Sequence, residues 1–375
     1  MIKVVEVSSD SNIGGAGKCI LTLLKNIDRT EFQLFLVIPK GSLLKKEAEK
    51  YDVTIYEVDY LAEKSMSNKA VTVLRRLFRQ IKPDIVHTHA SMSARLAAKA
   101  CKIKTVYTRH SVFEPSRLLS KGIGKRINGR VNNRTADKII AVADAAKDNL
   151  TATGVDEKKI TVILNGVEPL REYSESEKAK IRKQFKVSDG DKVAVLAARL
   201  TEVKGQKYFI EAGKILKDKG LKFKFIIAGT GESENTLKAL IKDLELEDTV
   251  YTVGFITDME PLINISDISV NCSFGTEATS LALLEGMSLG KPAVVTDFGG
   301  NTGVIQDGVN GIVTPTHNSQ ATADAIEKLF CDSELYEKMQ KKAIAIYNEN
   351  FTAEVNTRKT EEIYRALLKN NGKDD

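Results

Sequence analysis

Two α/β domains, each built on a parallel sheet with helices on both faces, are predicted by three features of the chain. Its 375 residues suffice for two domains of ordinary size. Short apolar runs alternate with amphipathic stretches of roughly 10–15 residues, the pattern of repeated βαβ units. A polar, charged segment at 168–190 interrupts that alternation and reads as a boundary, part linker and part helix.

In the first half, Val4–Val7, Leu34–Ile38, Val53–Tyr56, Ile85–His87, Thr105–Tyr107, Lys138–Val142 and Ile160–Leu164 read as strands. Helical patterns lie between them at 16–26, 43–50, 68–81, 91–101 and 143–151. A second series runs through Val193–Leu196, Phe223–Ala228, Val250–Val253, Ile268–Val270 and Ala293–Thr296, with helices at 205–218, 234–245, 277–289 and 320–330. Residues 352–370 carry Val355, Ile363, Tyr364, Leu367 and Leu368 at helical spacing and predict a packed last helix; 371–375 are expected to fray. The expected domains are 1–168 and 169–351, with 352–375 as the returning helix.

Hydrophobic residues make up 42% and charged residues 28%, the balance of a globular protein with a sizeable core. No apolar run is long enough to span a membrane, and the opening Met1-Ile-Lys-Val-Val-Glu-Val is a strand pattern broken by charge rather than a secretory signal. Cys19, Cys101, Cys272 and Cys331 are far apart, which argues against disulfides or a zinc site and for a cytoplasmic home. The net charge of +6 conceals an asymmetry: residues 1–183 hold 34 Lys+Arg against 21 Asp+Glu, while the remainder hold 22 against 29. Between 64 and 134 there are 17 basic residues and only Asp84 and Glu114 as acids. Apolar residues interleave with these cations, so the region suits an anionic lipid surface or a solvated helix face. Nucleic acid is disfavoured, since Phe78, Tyr107 and Phe113 are too few for a stacking platform.

Glu277 and Glu285, eight residues apart in Ser273-Phe-Gly-Thr-Glu-Ala-Thr-Ser-Leu-Ala-Leu-Leu-Glu-Gly, are the most informative pair. On a helix beginning at Glu277 they would stand roughly 12 Å apart along the axis and about 80° around it. That is too far to share a proton or a metal, yet suited to two ends of an extended ligand such as a nucleoside diphosphate sugar; a helix-capping acid and a solvated acid are the plain alternative. Arg199 and Lys204 follow the strand at Val193, where two cations would suit a diphosphate or simply face solvent. Gly229, in the glycine turn after another strand, either lines the same cleft as a donor contact or is a structural glycine. Gly14-Gly15 after the first strand is either a tight turn or a backbone approach to a ligand. The loop matches neither the ATP nor the NAD glycine pattern: Asn12, Cys19 and Ile20 occupy required positions. His87, His89 and His110 sit at strand ends. The i, i+2 pair of His87 and His89 could bind a metal, but no carboxylate or thiol cluster accompanies it in the sequence. Asp189-Gly-Asp191 precedes a strand and reads as a turn, so no divalent metal is expected.

Taken in order, these pieces resemble the GT-B glycosyltransferases of group 1, or family 4, over nearly the whole chain. The resemblance rests on Glu277 with Glu285, Arg199 with Lys204-Gly205, Gly14-Gly15, Asn165-Gly166-Val167, Pro83-Asp-Ile-Val-His-Thr-His and Asp307-Gly-Val-Asn-Gly. It implies two Rossmann-like domains facing a cleft, an acceptor-binding first domain, a nucleotide-sugar-binding second domain and a last helix crossing back. It implies a retaining, metal-independent transfer with no cofactor, a UDP-sugar favoured as donor, a glycan or lipid-linked acceptor, and work in polysaccharide or glycolipid synthesis. Glu285 would bind ribose, Arg199 and Lys204 the leaving diphosphate, and Glu277 with Ala278, Thr279, Ser280 and Leu281 the sugar and phosphate. His110 would contact the donor sugar and act with Glu277, Arg199 and Lys204 in catalysis; Gly14 and Gly15 would lie on the acceptor side. Ala278, Ala198 and Gly303 depart from the usual family pattern. The rival readings are a nucleotide-sugar epimerase of similar fold and a basic nucleic-acid-binding module. Peripheral contact with the inner face of the plasma membrane through 64–134 is a further expectation.

Overall fold

The structure, a computed structural model, describes residues 1–61, 66–112 and 116–369. Phe113, Glu114 and the tail at 371–375 lie outside these described residues. The chain forms two compact units, Met1–Gly166 with Ala353–Asp375, and Val167–Thr352.

In the first unit, β1 (Ile2–Ser8), β2 (Phe32–Pro39), β3 (Thr54–Val58), β4 (Ile85–His89), β5 (Lys104–Arg109), β6 (Lys138–Ala141) and β7 (Ile160–Val162) form one sheet in the order β3-β2-β1-β4-β5-β6-β7. Every pairing is parallel. The central strands are apolar on both faces because helices cover both, as Val4, Val5 and Val7 of β1 and Ile85 and Val86 of β4 illustrate. The helix Asn68–Ile81 buries Ala70, Leu74, Phe78 and Ile81, one stripe at helical spacing. Ser67 caps its start by accepting from the Ala70 amide, and Lys82 stops it in a left-handed conformation. Burying Leu74 and Phe78 contributes about 1.5–3 kcal/mol each.

The second unit has a six-stranded parallel sheet, with β8 (Lys192–Ala197), β9 (Phe223–Ala228), β10 (Val250–Thr252), β11 (Ile268–Asn271), β12 (Ala293–Thr296) and β13 (Gly311–Thr314) in the order β10-β9-β8-β11-β12-β13. Its core gathers Phe209, Phe223, Phe225, Leu216 and Ile227. The sequence reading gives Asp307–Gly311 as a glycine turn and places no strand after Ala293–Thr296. The turn is present, closed by Gly308 N to Gly311 O at 2.9 Å, but Gly311 also opens β13 beside β12. The helices Gly122–Thr135 and Ser333–Asn350 were likewise not foreseen.

Strand order reverses between β1 and β4 in the first sheet and between β8 and β11 in the second. At such a switch point the loops leaving the two strands diverge and open a crevice at the carboxyl ends.

The last helix, Ala353–Lys369, belongs to the first unit. Ile363, Tyr364 and Leu367 join the core cluster of Val4, Phe32, Leu36 and Ile85. Arg365 grips Glu31 with two nitrogens, at 3.0 and 2.6 Å, and Glu361 accepts the Asp28 amide at 2.8 Å.

Candidate active site

The loops leaving β8 and β11, on either side of the second switch point, meet through Lys204 and Glu277. The Lys204 ammonium lies 2.9 Å from Glu277 Oε2 and also donates to the Thr276 carbonyl at 2.5 Å. Asn271 Nδ2, at 2.9 Å, and Ser273 Oγ, at 3.1 Å, donate to that same Oε2. Three donors therefore converge on one carboxylate oxygen, and Oε1 receives none from the described residues. The pair is well shielded, the side chains being 17% and 9% exposed. Arg199, by contrast, is exposed and forms no ion pair among the described residues. Its carbonyl accepts from Gln206 Nε2 at 2.9 Å and from the Thr201 amide at 3.0 Å, which fixes the loop while leaving the guanidinium available.

Two glycines let neighbouring loops close on this loop pair. Gly229, at the end of β9, has φ +143°, and a Cβ there would stand 2.0 Å from the Ala198 carbonyl. Gly299, with φ +59°, would place a Cβ 2.2 Å from the Glu277 carbonyl, which instead accepts the Gly300 amide at 3.1 Å.

The sequence reading started a helix at Glu277. The helix begins only at Leu281, running Leu281–Ser288, with Ser280 as its N-cap. Glu277, Ala278 and Thr279 precede it in the loop, because the Glu277 carboxylate is drawn to Lys204, Asn271 and Ser273 and its carbonyl to Gly300. The inferred helical separation of the two acids therefore does not apply. Glu285 sits on that helix and is 9% exposed. The donors Asn271 and Ser273 were missed; the signal available was polar residues ending an otherwise apolar strand.

The first unit places Gly14 and Gly15 after β1 at the start of the helix Gly15–Asn26. Neither has positive φ, and a Cβ would meet nothing nearer than Asp10 Oδ2, at 3.7 Å from Gly14. A tight turn therefore does not require glycine at either position.

Beside them, β1, β4 and β5 bring four titratable side chains together. The sequence reading found no carboxylate with His87 and His89. Parallel register sets Glu6 of β1 beside His87 of β4, and Glu6 is wholly buried. The clue was a lone charge inside an apolar strand. His89 Nε2 lies 2.9 Å from Glu6 Oε2, and His89 Nδ1 lies 2.7 Å from His110 Nε2. Tyr364 from the last helix donates to Glu6 Oε1 at 2.8 Å and lies 2.6 Å from His87 Nδ1; His87 Nε2 lies 2.6 Å from Thr108 Oγ1. Burial alone would push the Glu6 carboxyl up, but the charge of His87 and the hydrogen bonds of His87 and His89 hold it well below the usual carboxylate range. Burial, then the neighbouring His87, lowers His89; burial, then His89 and His87, lowers His110 further. Glu6, His87 and His89 have the donor types of a metal site, within 4.8 Å of one another, yet hydrogen bonds inside the network already occupy their ligand atoms. Asp189–Asp191 forms a turn before β8, with Asp191 accepting the Ser188 amide at 2.8 Å.

The family model for glycosyl transferases group 1 matches residues 177–345, and that for glycosyltransferase family 4 matches residues 13–171. The Bacillus subtilis protein named "putative glycosyltransferase EpsD" is 30% identical over 283 residues, 71% of this chain and 72% of its own length. The UDP-Gal:alpha-D-GlcNAc-diphosphoundecaprenol alpha-1,3-galactosyltransferase of Escherichia coli is 25% identical, covering 88% of this chain and 90% of its own. Among solved structures, Anabaena HepE in complex with UDP-glucose superposes with a TM-score of 0.85 over 98% of this chain and 100% of its own, at 22% identity. Two parallel sheets with loops gathered at their switch points are the architecture of a GT-B glycosyltransferase. The chain belongs to the group 1 glycosyltransferases. That membership favours sugar transfer over the epimerase and nucleic-acid readings. No helix among the described residues is long and apolar enough to cross a membrane.

Proposed function

We propose that this glycosyltransferase takes a sugar from a nucleoside diphosphate, with UDP favoured, and moves it with retention to a hydroxyl of a glycan or lipid-linked acceptor in polysaccharide or glycolipid synthesis. The observation that carries the reading is the pairing of Lys204 with Glu277 at the β8/β11 switch point, with Arg199 exposed on the same loop as Lys204 and without an ion pair among the described residues. As the glycosidic bond to the diphosphate lengthens, negative charge builds on the phosphates, and preorganised cations lower the barrier most. Arg199 supplies a planar fork, and Lys204 a point charge already held in place by Thr276 and Glu277. Glu277 Oε1 is left to accept from sugar hydroxyls. With these cations present, the leaving group needs no divalent metal. Support for UDP comes from the donor in the name of the Escherichia coli relative, a UDP-Gal transferase, and from the UDP-glucose held by HepE.

Thermal shift with UDP-, GDP- and ADP-sugars in EDTA tests the donor. A ligand at 100 times its Kd stabilises by about 2.7 kcal/mol. A UDP-sugar is expected to raise Tm, and no response to any nucleotide sugar would remove the reading. NMR of the product's anomeric configuration tests retention.

Peripheral membrane contact is part of the same proposal, and the helix Gly122–Thr135 supports it. Its inner face docks through Asn132 and Thr135, which accept from the buried Arg95, and through Gly129 against the Gly154 carbonyl. Its outer face exposes Ile123 and Ile127, and Leu118 is exposed just before it. Arg117, Lys121, Lys125, Arg126, Arg130 and Arg134 surround these residues, with no acid between 116 and 136. Apolar side chains amid unopposed cations suit an anionic bilayer surface.

A further inference from the structure

Glu6, His89 and His110 make a hydrogen-bond chain whose direction chemistry fixes. A carboxylate can only accept, so His89 Nε2 carries a proton and donates it to Glu6 Oε2 across 2.9 Å. Burial and the neighbouring histidines keep both rings neutral. A neutral His89 with its proton on Nε2 presents a lone pair at Nδ1, which must then accept from His110 Nε2 across 2.7 Å. His110 in turn has a lone pair on Nδ1. That atom is buried and has no partner among the described residues. Every other ring nitrogen of the three histidines is engaged.

The second arm ends on the same carboxylate. Tyr364 gives its only hydroxyl proton to Glu6 Oε1, so its oxygen accepts from His87 Nδ1, while His87 Nε2 lies 2.6 Å from Thr108 Oγ1. Both Glu6 oxygens are thus engaged, and either one presents only an acceptor to His89. The groups facing the His89–His110 pair are Glu6 on β1, His87 on β4 and Tyr364 on the last helix, all bound into this one network.

We propose that Glu6 and His89 are positioning residues that hold His110 with its proton on Nε2, so that its buried, unpartnered Nδ1 is the acceptor a sugar hydroxyl would satisfy. The inference rests on the transferase reading in so far as the missing donor is a sugar hydroxyl; the tautomer itself does not depend on it. With the opposite tautomer His110 would turn a lone pair on Nε2 toward the lone pair of His89 Nδ1, leaving two acceptors facing each other across 2.7 Å.

Histidine-selective 15N NMR on the full chain reads this directly, because it contains only four histidines. In the free protein near pH 7.5, His110 is expected to show a protonated Nε2 and an unprotonated Nδ1. In Glu6→Gln that preference should relax toward a mixture of tautomers, and His89→Phe should do the same. Tyr364→Phe removes a hydroxyl from the other arm and should leave the His110 tautomer unchanged. A free protein whose His110 carries its proton on Nδ1 overturns the proposal, whether or not any variant folds. So does a folded Glu6→Gln with an unaltered His110 spectrum. With UDP-glucose as the probe, Glu6→Gln is expected to lower kcat by about tenfold or more while KM changes by less than about threefold. An equal rise in KM with kcat unchanged would count against a role in orienting His110. The free protein is read first, so a failed donor reading leaves the tautomer test standing.

Discussion

Lys204 of one loop and Glu277 of another share a nearly buried ion pair, with 2.9 Å between nitrogen and oxygen, across the point where the second sheet reverses its strand order. The pair ties the two loops together, whereas Arg199, exposed on the β8 loop, forms no ion pair among the described residues.

The two cations should therefore separate in mutation. Lys204→Ala and Arg199→Ala are each expected to lower turnover by about 10²–10³. Only Lys204→Ala should also destabilise, by about 1–3 kcal/mol, because Glu277 then loses a partner in a shielded site. Paired turnover and denaturant-melt measurements check both; equal stability losses would contradict the division of roles.

Gly14→Ala and Gly15→Ala address what those glycines are for. Neither position has positive φ or a neighbour closer than 3.7 Å to an added Cβ, so stability should change by less than about 0.5 kcal/mol. If a substrate approaches the backbone there, activity should fall in a protein with native Tm. Full activity in both variants would remove the idea that a substrate approaches the backbone there.

Acid should weaken the protein through the first unit. His89 and His110 are lowered in the folded state, so unfolding takes up protons below histidine's ordinary pKa of about 6.5. Glu6 is lowered too, so its contribution is present above the ordinary carboxylate range and is lost as pH falls below it. Both signs agree: stability should decline as pH drops from about 6.5 and fall further near 4. Melts between pH 8 and 4 test this, and His89→Gln should flatten the upper part of the curve.

Ile123→Glu with Ile127→Glu should abolish co-sedimentation with vesicles of anionic phospholipid at low salt while leaving Tm unchanged, since both side chains are exposed. Wild-type protein that stays in the supernatant would remove the membrane contact.

The alternation of apolar runs and amphipathic stretches made the layered α/β plan legible, since central parallel strands such as β1 and β4 must be apolar on both faces. What stayed hidden had physical causes. The helix Gly122–Thr135 contains Gly122, Gly124 and Gly129 with three asparagines, residues of low helix propensity, and packing against Arg95 and Gly154 forms it regardless. Glu277 lies in a stretch that looks helical, yet a cation reached from another strand sets its backbone. Glu6 was visible only as a charge in the wrong place, because register between β1 and β4 is a property of the sheet and no local pattern encodes it.

Tyr364 reaches Glu6 from 358 residues downstream. During synthesis, everything from β1 to β7 leaves the ribosome with the Glu6 carboxylate lacking its tyrosine and with the Phe32 side of the core uncovered. The amino-terminal sheet must wait, incomplete, until the entire second unit has been translated. Nonsense mutations that remove only the final helix should therefore act as loss-of-function alleles by leaving the opposite end of the polypeptide unfinished and open to proteolysis.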